Sequence, residues 1–309
     1  MKTYSLIIDT KTKKYPIFIG SNIIKNISKI FLSKKIFFKK CLIISDINIP
    51  NKFKYNLFKN INTKSKVIYN FTASEKKKSY SSVNKIHNIL FKKNFNRDDY
   101  IISFGGGITG DVAAFAASTF KRGIKFINIP TTLLSQVDAS IGGKTGINNN
   151  YGKNLIGTFY QPELVIADIK ILNSLPYREI LCGYAEILKS SLIDCYKNFK
   201  FLDKNIHKIL NLEHPYIETA IFNSCKLKKK IVEADEKEKN QRKVLNLGHT
   251  FAHAYESSLN FSKKLNHGEA VILGINNALE YSKKNNLIND KKYQLIKNHI
   301  NKLNLKKKL

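Results

Sequence analysis

The sequence predicts an α/β domain with a mainly parallel sheet, followed by an all-α domain. Short apolar segments alternate with segments of helical spacing in the first half, whereas only helical periodicity continues beyond about residue 176. Ten of the fifteen glycines lie between residues 105 and 157, which indicates that the backbone there approaches a ligand or another segment closely. We therefore expect two domains, residues 1–178 and 179–309.

Five short apolar segments predict strands, at residues 15–19, 41–45, 66–70, 100–104 and 125–129. Residues 21–31 and 79–92 have the spacing of amphipathic helices, and this alternation favours a Rossmann-like sheet. Four segments of the second half predict helices, at residues 184–192, 215–233, 247–258 and 268–285.

Composition excludes several functional classes. The chain has 309 residues, 43% of them hydrophobic, which excludes a disordered protein. Its net charge of +30 comes from lysines spread through most polar segments, so we expect a solvated surface and no nucleic-acid site. Four cysteines without a CxxC pair predict reduced thiols and a cytoplasmic location. No targeting signal and no apolar stretch of about 18 residues is present, so no membrane segment is predicted.

The first motif is a glycine-rich turn. The apolar residues 101–104 precede GGGITGD and an alanine-rich segment, which predicts strand, turn and helix. Such a turn directs backbone N–H groups and the helix N-terminus at a pyrophosphate. The spacing GGGxxGD differs from GxGxxG, and a tight turn that serves packing alone remains the alternative.

The second motif lies between residues 138 and 154. It combines Asp138, Lys144, Lys153 and Asn154 with several glycines, which suits an anionic substrate. Lys144 does not follow the GxxxxGK spacing of a P-loop, and ordinary surface lysines remain the alternative.

The third motif lies in the helical half. His249 and His253 are four residues apart and share a helix face, and His267 and Glu186 are further candidate ligands. Two histidines and a glutamate form the ligand set of a catalytic zinc. HTFAH lacks the glutamate of HExxH, which disfavours a metalloprotease, and histidines with a structural role remain the alternative.

Together these motifs resemble the 3-dehydroquinate synthases, sugar phosphate cyclases of the shikimate pathway. The resemblance rests on GGGITGDVAAFAASTFKRG, IPTTLLSQVDASIGGKTGI, GKNLIGTFYQPELV, LNLGHT and HGEAV. Polyol dehydrogenases share the fold and a glycine-rich turn, but they do not combine GGKTG, GKN and LNLGHTFxHAxE. The resemblance implies a dehydroquinate synthase-like fold.

The resemblance also implies the bound groups. Zn²⁺ or Co²⁺ would be held by Glu186, His249 and His267. The substrate residues would be Arg122, Asp138, Lys144, Asn154, Lys189, Lys228, Glu238, Arg242, Asn246 and His253, with Arg122 acting across the interface of a homodimer. NAD⁺ would contact Asp46, Ala73, Ser74, Glu75, Lys76, Lys77, Lys78, Gly106, Gly107, Ile108, Thr109, Gly110, Asp111, Thr131, Thr132, Lys144, Lys153, Ile171, Leu172, Asn173 and Ser174.

The expected reaction converts 3-deoxy-arabino-heptulosonate 7-phosphate to 3-dehydroquinate and phosphate, as a lyase of class EC 4.2.3.4 in aromatic amino acid biosynthesis. The chain departs from the family at Ala73-Ser74, Ser190-Ser191 and Ala252. It also stops at Leu309, where the family continues to a further phosphate-binding lysine, so we expect weakened phosphate affinity. A related sugar phosphate cyclase, a polyol dehydrogenase, an inactive remnant and a nucleic-acid-binding protein that uses the charge of +30 are the alternatives.

Overall fold

The computed structural model describes residues 3–259, 262 and 264–305. The strands are β1 (Tyr4–Asp9), β2 (Lys14–Gly20), β3 (Lys40–Asp46), β4 (Ser65–Phe71), β5 (Tyr100–Gly105), β6 (Lys125–Pro130), β7 (Ile147–Asn149), β8 (Gly152–Ile156) and β9 (Leu164–Asp168). The helices are α1 (Ile27–Ser33), α2 (Asn51–Asn60), α3 (Tyr80–Lys92), α4 (Gly107–Thr119), α5 (Tyr177–Ile193), α6 (Tyr196–Lys204), α7 (Ile206–Leu210), α8 (Tyr216–Ala234), α9 (His249–Ser258), α10 (His267–Lys284) and α11 (Asp290–Asn301). Lys306, Lys307 and Lys308 lie outside the described residues.

The sheet creates a crevice at one edge. In the described part of the chain, its seven strands follow the order β1-β2-β9-β6-β5-β3-β4, and only the β1–β2 pair is antiparallel. The chain runs from β3 outwards to β4 and then returns to β5 on the other side of β3. The strand order therefore reverses between β3 and β5. Ligands of doubly wound sheets bind at such a point, beyond the carboxyl ends of the strands.

Both faces of the sheet are covered, which explains why its strands are continuously apolar. In β3, Cys41 and Ile43 belong to one core cluster, whereas Leu42 and Ile44 belong to a second one on the opposite face. Helices α3 and α4 pack in the second cluster. The first and larger cluster also contains apolar residues of α5, α8 and α10, so one continuous core joins the sheet to the helical half.

The structure confirms the predicted fold class. The five predicted strands lie within β2, β3, β4, β5 and β6, and no described residue after Asp168 belongs to a strand. The boundary at residue 178 stays a prediction, because α5 begins at Tyr177 and shares its core with the sheet. Within the described residues, no helix has both the length and the apolar character required to span a lipid bilayer.

The predicted helix at residues 21–31 was wrong in its first part. The chain there forms a 3-10 turn, Ile23–Asn26, before α1 begins. The carboxylate of Asp168 accepts hydrogen bonds from the N–H groups of Asn22 (2.8 Å) and Ile24 (3.1 Å), which binds this segment to the end of β9. The sequence prediction did not include β9, so it could not foresee this contact.

Candidate active site

The glycine-rich turn lies where the strand order reverses. β5 ends at Gly105 and α4 begins at Gly107. A Cβ atom on Gly105 would lie 2.5 Å from Thr109 Cβ, so a larger residue would displace the first turn of α4. Gly106 is the N-cap residue and provides no side-chain hydrogen bond to the helix. The first amide groups of α4 therefore remain available to an anionic ligand.

Other predicted NAD⁺ contacts follow strands at the same edge. Asp46 is the last residue of β3, and Thr131 and Thr132 follow β6. Two 3-10 helices, Glu75–Lys77 and Ile169–Ser174, follow β4 and β9. The structure thus brings these segments to one edge of the sheet, and their contact with a nucleotide stays a prediction.

Lys78 joins the glycine-rich turn to the β7–β8 hairpin. Its buried Nζ donates to Asp111 Oδ2 in α4 and to Asn154 Oδ1 in β8, each at 2.5 Å. Burial raises the pKa of Asp111, and the charge of Lys78 opposes this rise. Lys153 lies 3.6 Å from Glu75 and joins the hairpin to the segment after β4. Five residues predicted to contact a ligand thus form two groups of contacts, Lys78 with Asp111 and Asn154, and Lys153 with Glu75.

A cavity of about 510 Å³ lies between α4, the hairpin and α8. Its volume falls within the range of about 300–1,000 Å³ for small-molecule sites. Five predicted substrate residues line it, namely Asp138, Lys144, Asn154, Lys228 and Arg242. Three of the five are cations, so the cavity is suited to an anionic molecule.

Lys228 is held in place by Asp138. Its Nζ donates to the Asp138 carboxylate (2.5 Å) and to the Asp138 backbone carbonyl (2.6 Å). Burial alone would raise the pKa of Asp138, but Lys228 and Lys189 together hold that pKa below its usual range. Burial also lowers the pKa of Lys228, and Asp138 partly offsets that change. The Lys228 ammonium and the Asp138 carboxylate therefore stabilise each other's charge in the wall of the cavity.

Arg242 is a buried arginine that lines the cavity. Its Nη1 donates to the backbone carbonyls of Glu236 (2.6 Å) and Gly142 (3.2 Å). The Glu236 carboxylate accepts hydrogen bonds from Thr12 and from Gln161 Nε2 (2.8 Å). The turn between β1 and β2 is thereby connected to the segment that carries Arg242. Thr12 and Glu236 lie outside the sequence motifs, and Gln161 lies inside GKNLIGTFYQPELV without a role predicted for it.

Lys144 reaches the cavity from the loop before β7. Its side chain is 52% exposed and forms an ion pair with Glu238. Partial burial and the nearby cations Arg242 and Lys228 lower the pKa of Lys144 to about 8. Asn246 donates to Glu238 Oε1 at 3.2 Å, so three predicted substrate residues form one chain of contacts.

Glu186, in the middle of one helix, lies beside His249 and His267 at the starts of two others. Glu186 lies in α5 and is 2% exposed, while His249 and His267 begin α9 and α10. Their ligand atoms lie within 4.8 Å of one another. The Nε2 atoms of His249 and His267 are 3.8 Å and 3.7 Å from Glu186 Oε1. Glu186 Oε2 is ion-paired with Lys189, whereas Oε1 accepts no hydrogen bond within the described chain. A divalent metal would satisfy this buried donor set.

The three side chains differ in their electrostatics. Burial would raise the pKa of Glu186, but the ion-paired Lys189 and the histidines hold it below its usual value. Burial and Lys189 lower the pKa of His249 to about 4, so this imidazole is neutral at pH 7. Burial would also lower the pKa of His267, but Glu186 and Glu256 outweigh it and raise that pKa to about 9.

The remaining predicted substrate residues lie in different places. His253 is exposed one turn after His249, and the two rings are 5.5 Å apart between centroids. Lys189 lies against Glu186. Arg122 is exposed beyond the end of α4 opposite the glycine-rich turn, and it does not line the cavity of its own chain.

Sequence reasoning missed a group of residues that fixes the start of α10. Asn266 and Glu269 form a capping box there. Arg178, in α5, donates to both oxygens of Glu269, with distances of 2.7 and 2.6 Å. The Asn-x-x-Glu spacing of residues 266–269 could have indicated the capping box. Its arginine partner is distant in sequence and could not be recognised.

Comparison with known proteins gives consistent matches over the whole chain. The family model for the N-terminal part of 3-dehydroquinate synthase matches residues 68–182, and the model for the C-terminal part matches residues 183–309. The chain is 57% identical over 305 residues to the 3-dehydroquinate synthase of Pelagibacter ubique (strain HTCC1062). That match covers 99% of this chain and 83% of the relative.

Solved structures agree with the fold. A 2-deoxy-scyllo-inosose synthase, complexed with carbaglucose-6-phosphate, NAD⁺ and Co²⁺, is 27% identical with a TM-score of 0.90. The match covers 99% of this chain and 83% of that one. A 2-epi-5-epi-valiolone synthase from Streptomyces hygroscopicus subsp. jinggangensis 5008, with NAD⁺ and Zn²⁺ bound, has a TM-score of 0.84 at 22% identity. That match covers 95% of this chain and 81% of the valiolone synthase, and it shows that the two proteins share a fold.

Proposed function

The chain belongs to the 3-dehydroquinate synthase family, and we propose that it converts 3-deoxy-arabino-heptulosonate 7-phosphate to 3-dehydroquinate and phosphate. The observation that carries this proposal is the position of one buried donor set beside one cationic cavity. Asp138 connects the two, because it lines the cavity and its charge acts on Glu186. The enzyme is then a carbon–oxygen lyase of class EC 4.2.3.4 in the shikimate pathway.

The residues present fit both groups that the family uses. Glu186, His249 and His267 would hold Zn²⁺ or Co²⁺, since Glu186 Oε1 is buried, faces both imidazoles and accepts no hydrogen bond in the described chain. The turn at Gly106 would receive the pyrophosphate of NAD⁺ at the start of α4. When bound, the metal supplies Lewis-acid polarisation of a substrate hydroxyl, and NAD⁺ supplies a hydride acceptor that is regenerated in each turnover.

The chain's own side chains bind and orient the substrate. Arg242 offers a planar guanidinium to the substrate carboxylate, and Lys144 with His253 is suited to its phosphate. Lys228 keeps its charge beside Asp138, so a second fixed cation stabilises negative charge as phosphate leaves. Contacts among Lys78, Asp111 and Asn154 hold the hairpin over the same cavity.

We also propose a homodimer and a cytoplasmic location. Arg122 is exposed at the far end of α4, where it is available to a second copy of the chain. A role for Arg122 at the partner's substrate phosphate follows from the family resemblance. The four cysteines are all free thiols, which agrees with a reducing compartment.

One assay tests the proposed reaction. The purified protein is incubated with the heptulosonate phosphate, NAD⁺ and Zn²⁺, and both inorganic phosphate and the carbocyclic product are measured. We expect one phosphate for each 3-dehydroquinate formed, and no release from a Glu186→Gln variant. Phosphate release without a carbocyclic product would contradict the proposal.

A further inference from the structure

Glu256 lies against one of the three candidate metal ligands. It follows His249 by seven residues in α9, which is two helical turns, so both side chains lie on the same face. Its side chain is 12% exposed, and its Oε1 lies 3.5 Å from His267 Nδ1. Glu256 is also the last residue of the LNLGHTFxHAxE motif. The proposed reaction gives this residue no role.

The two ring nitrogens of His267 face different carboxylates. Nε2 lies 3.7 Å from Glu186 Oε1, on the side of the donor set, whereas Nδ1 lies on the side of Glu256. An imidazole coordinates a metal through one nitrogen, and a carboxylate or carbonyl that accepts a hydrogen bond from the other fixes its orientation and tautomer. The positions of Glu186 and Glu256 match these two roles.

The backbone of His267 is fixed independently of Glu256. Asn266 and Glu269 cap the helix that begins at His267, and Arg178 holds Glu269 with two hydrogen bonds. Loss of the Glu256 carboxylate would therefore release the imidazole ring while the start of α10 stays in place.

We propose that Glu256 is a positioning residue, which orients His267 so that Nε2 is presented to the metal. The inference rests on the proposed function only in requiring that Glu186, His249 and His267 hold a divalent metal. The inference adds to the proposed function that Glu256 determines how tightly the metal is bound.

The test is zinc transfer from the loaded protein to a chromophoric chelator of known affinity. Removing such a supporting carboxylate typically weakens metal binding about 10- to 100-fold. We expect a loss of this size for Glu256→Ala and a smaller loss for Glu256→Gln, which retains an oxygen acceptor. The control is Glu280→Gln in α10, where the carboxylate is 46% exposed and pairs with Lys297. We expect this control to retain zinc as the parent does.

Two further measurements distinguish a positioning role of Glu256 from a general structural role. The metal-free melting temperatures of the two Glu256 variants, which both lack the carboxylate charge, should equal each other while their zinc affinities differ, and the visible spectrum of Co²⁺-loaded Glu256→Gln should differ from the parent spectrum. Unchanged zinc affinity in both variants, or a loss that only follows metal-free stability, would overturn the inference while the proposed function stands. A parent protein that retains no zinc would overturn the metal assignment and, with it, the role of Glu256.

Discussion

The Arg242 guanidinium occupies its position because residue 142 is a glycine. Arg242 Nη1 donates to the carbonyl of Gly142 at 3.2 Å, and a Cβ atom on Gly142 would lie 2.3 Å from Arg242 Nη2. Gly142 also has a φ of +95°, a conformation that residues with a side chain rarely adopt. The glycine therefore provides both an acceptor for the guanidinium and the space that it occupies.

Gly142→Ala should weaken substrate binding because the new methyl group displaces Arg242. Charge-assisted hydrogen bonds contribute about 1.5–3 kcal/mol, so we expect kcat/KM to fall by roughly one to two orders of magnitude. The control is Gly152→Ala, where the side chain of Leu155 is the neighbour and can move. Equal kcat/KM values for the two variants would show that Arg242 does not depend on Gly142.

His267→Ala and His253→Ala should separate metal binding from substrate binding. His267 belongs to the group of three ligand atoms, whereas His253 is exposed and lies outside that group. We expect His267→Ala to lose zinc and activity together, and His253→Ala to keep zinc while its rate falls. Metal analysis of the purified variants decides between these roles, and equal zinc contents would refute them.

The affinity for the anionic substrate should fall as the pH rises through about 8, the pKa of Lys144. Below that pH the ammonium group carries its charge, and above it a growing fraction is neutral and attracts phosphate less. We therefore expect KM to rise between about pH 7 and pH 9. Lys144→Arg keeps its charge throughout and should remove this rise. A parent KM that is constant over the interval would contradict the assignment.

Arg178→Lys should reduce the stability of the protein. The substitution replaces two hydrogen bonds to Glu269 with one point charge, at a site that is partly exposed. We expect the free energy of unfolding to fall by up to about 1 kcal/mol. Urea denaturation measures the change, with Arg97→Lys as the control because the Arg97 guanidinium donates to the Lys121 carbonyl on the surface. The same midpoint for both variants would show that the pair with Glu269 adds nothing.

The central strands could be predicted because their sequence reflects burial on both faces. Residues such as Leu42 and Ile43 pack into different clusters, so the whole segment is apolar and bounded by polar residues. β9 gave a weaker signal, since a run of five buried residues is consistent with either a strand or part of a buried helix. Its place between β2 and β6 depends on pairing with distant segments.

The chemistry of the site was also visible in the motifs, whereas its supporting contacts were not. Glu186, His249 and His267 could be proposed as a group because the family resemblance connects them. The contacts of Lys78 with Asn154, and of Glu236 with Gln161, join residues more than seventy positions apart. Local patterns carry no information about such pairs, and only the folded chain reveals them.

The ratio of NADH formed to phosphate released tests the central claim most directly. A synthase returns the hydride within each turnover, whereas a polyol dehydrogenase of the same fold would accumulate NADH with its product. We expect phosphate to be released from 3-deoxy-arabino-heptulosonate 7-phosphate for many turnovers on each NAD⁺, with no lasting rise in NADH absorbance. NADH accumulating in proportion to substrate consumed, without phosphate release, would contradict the account.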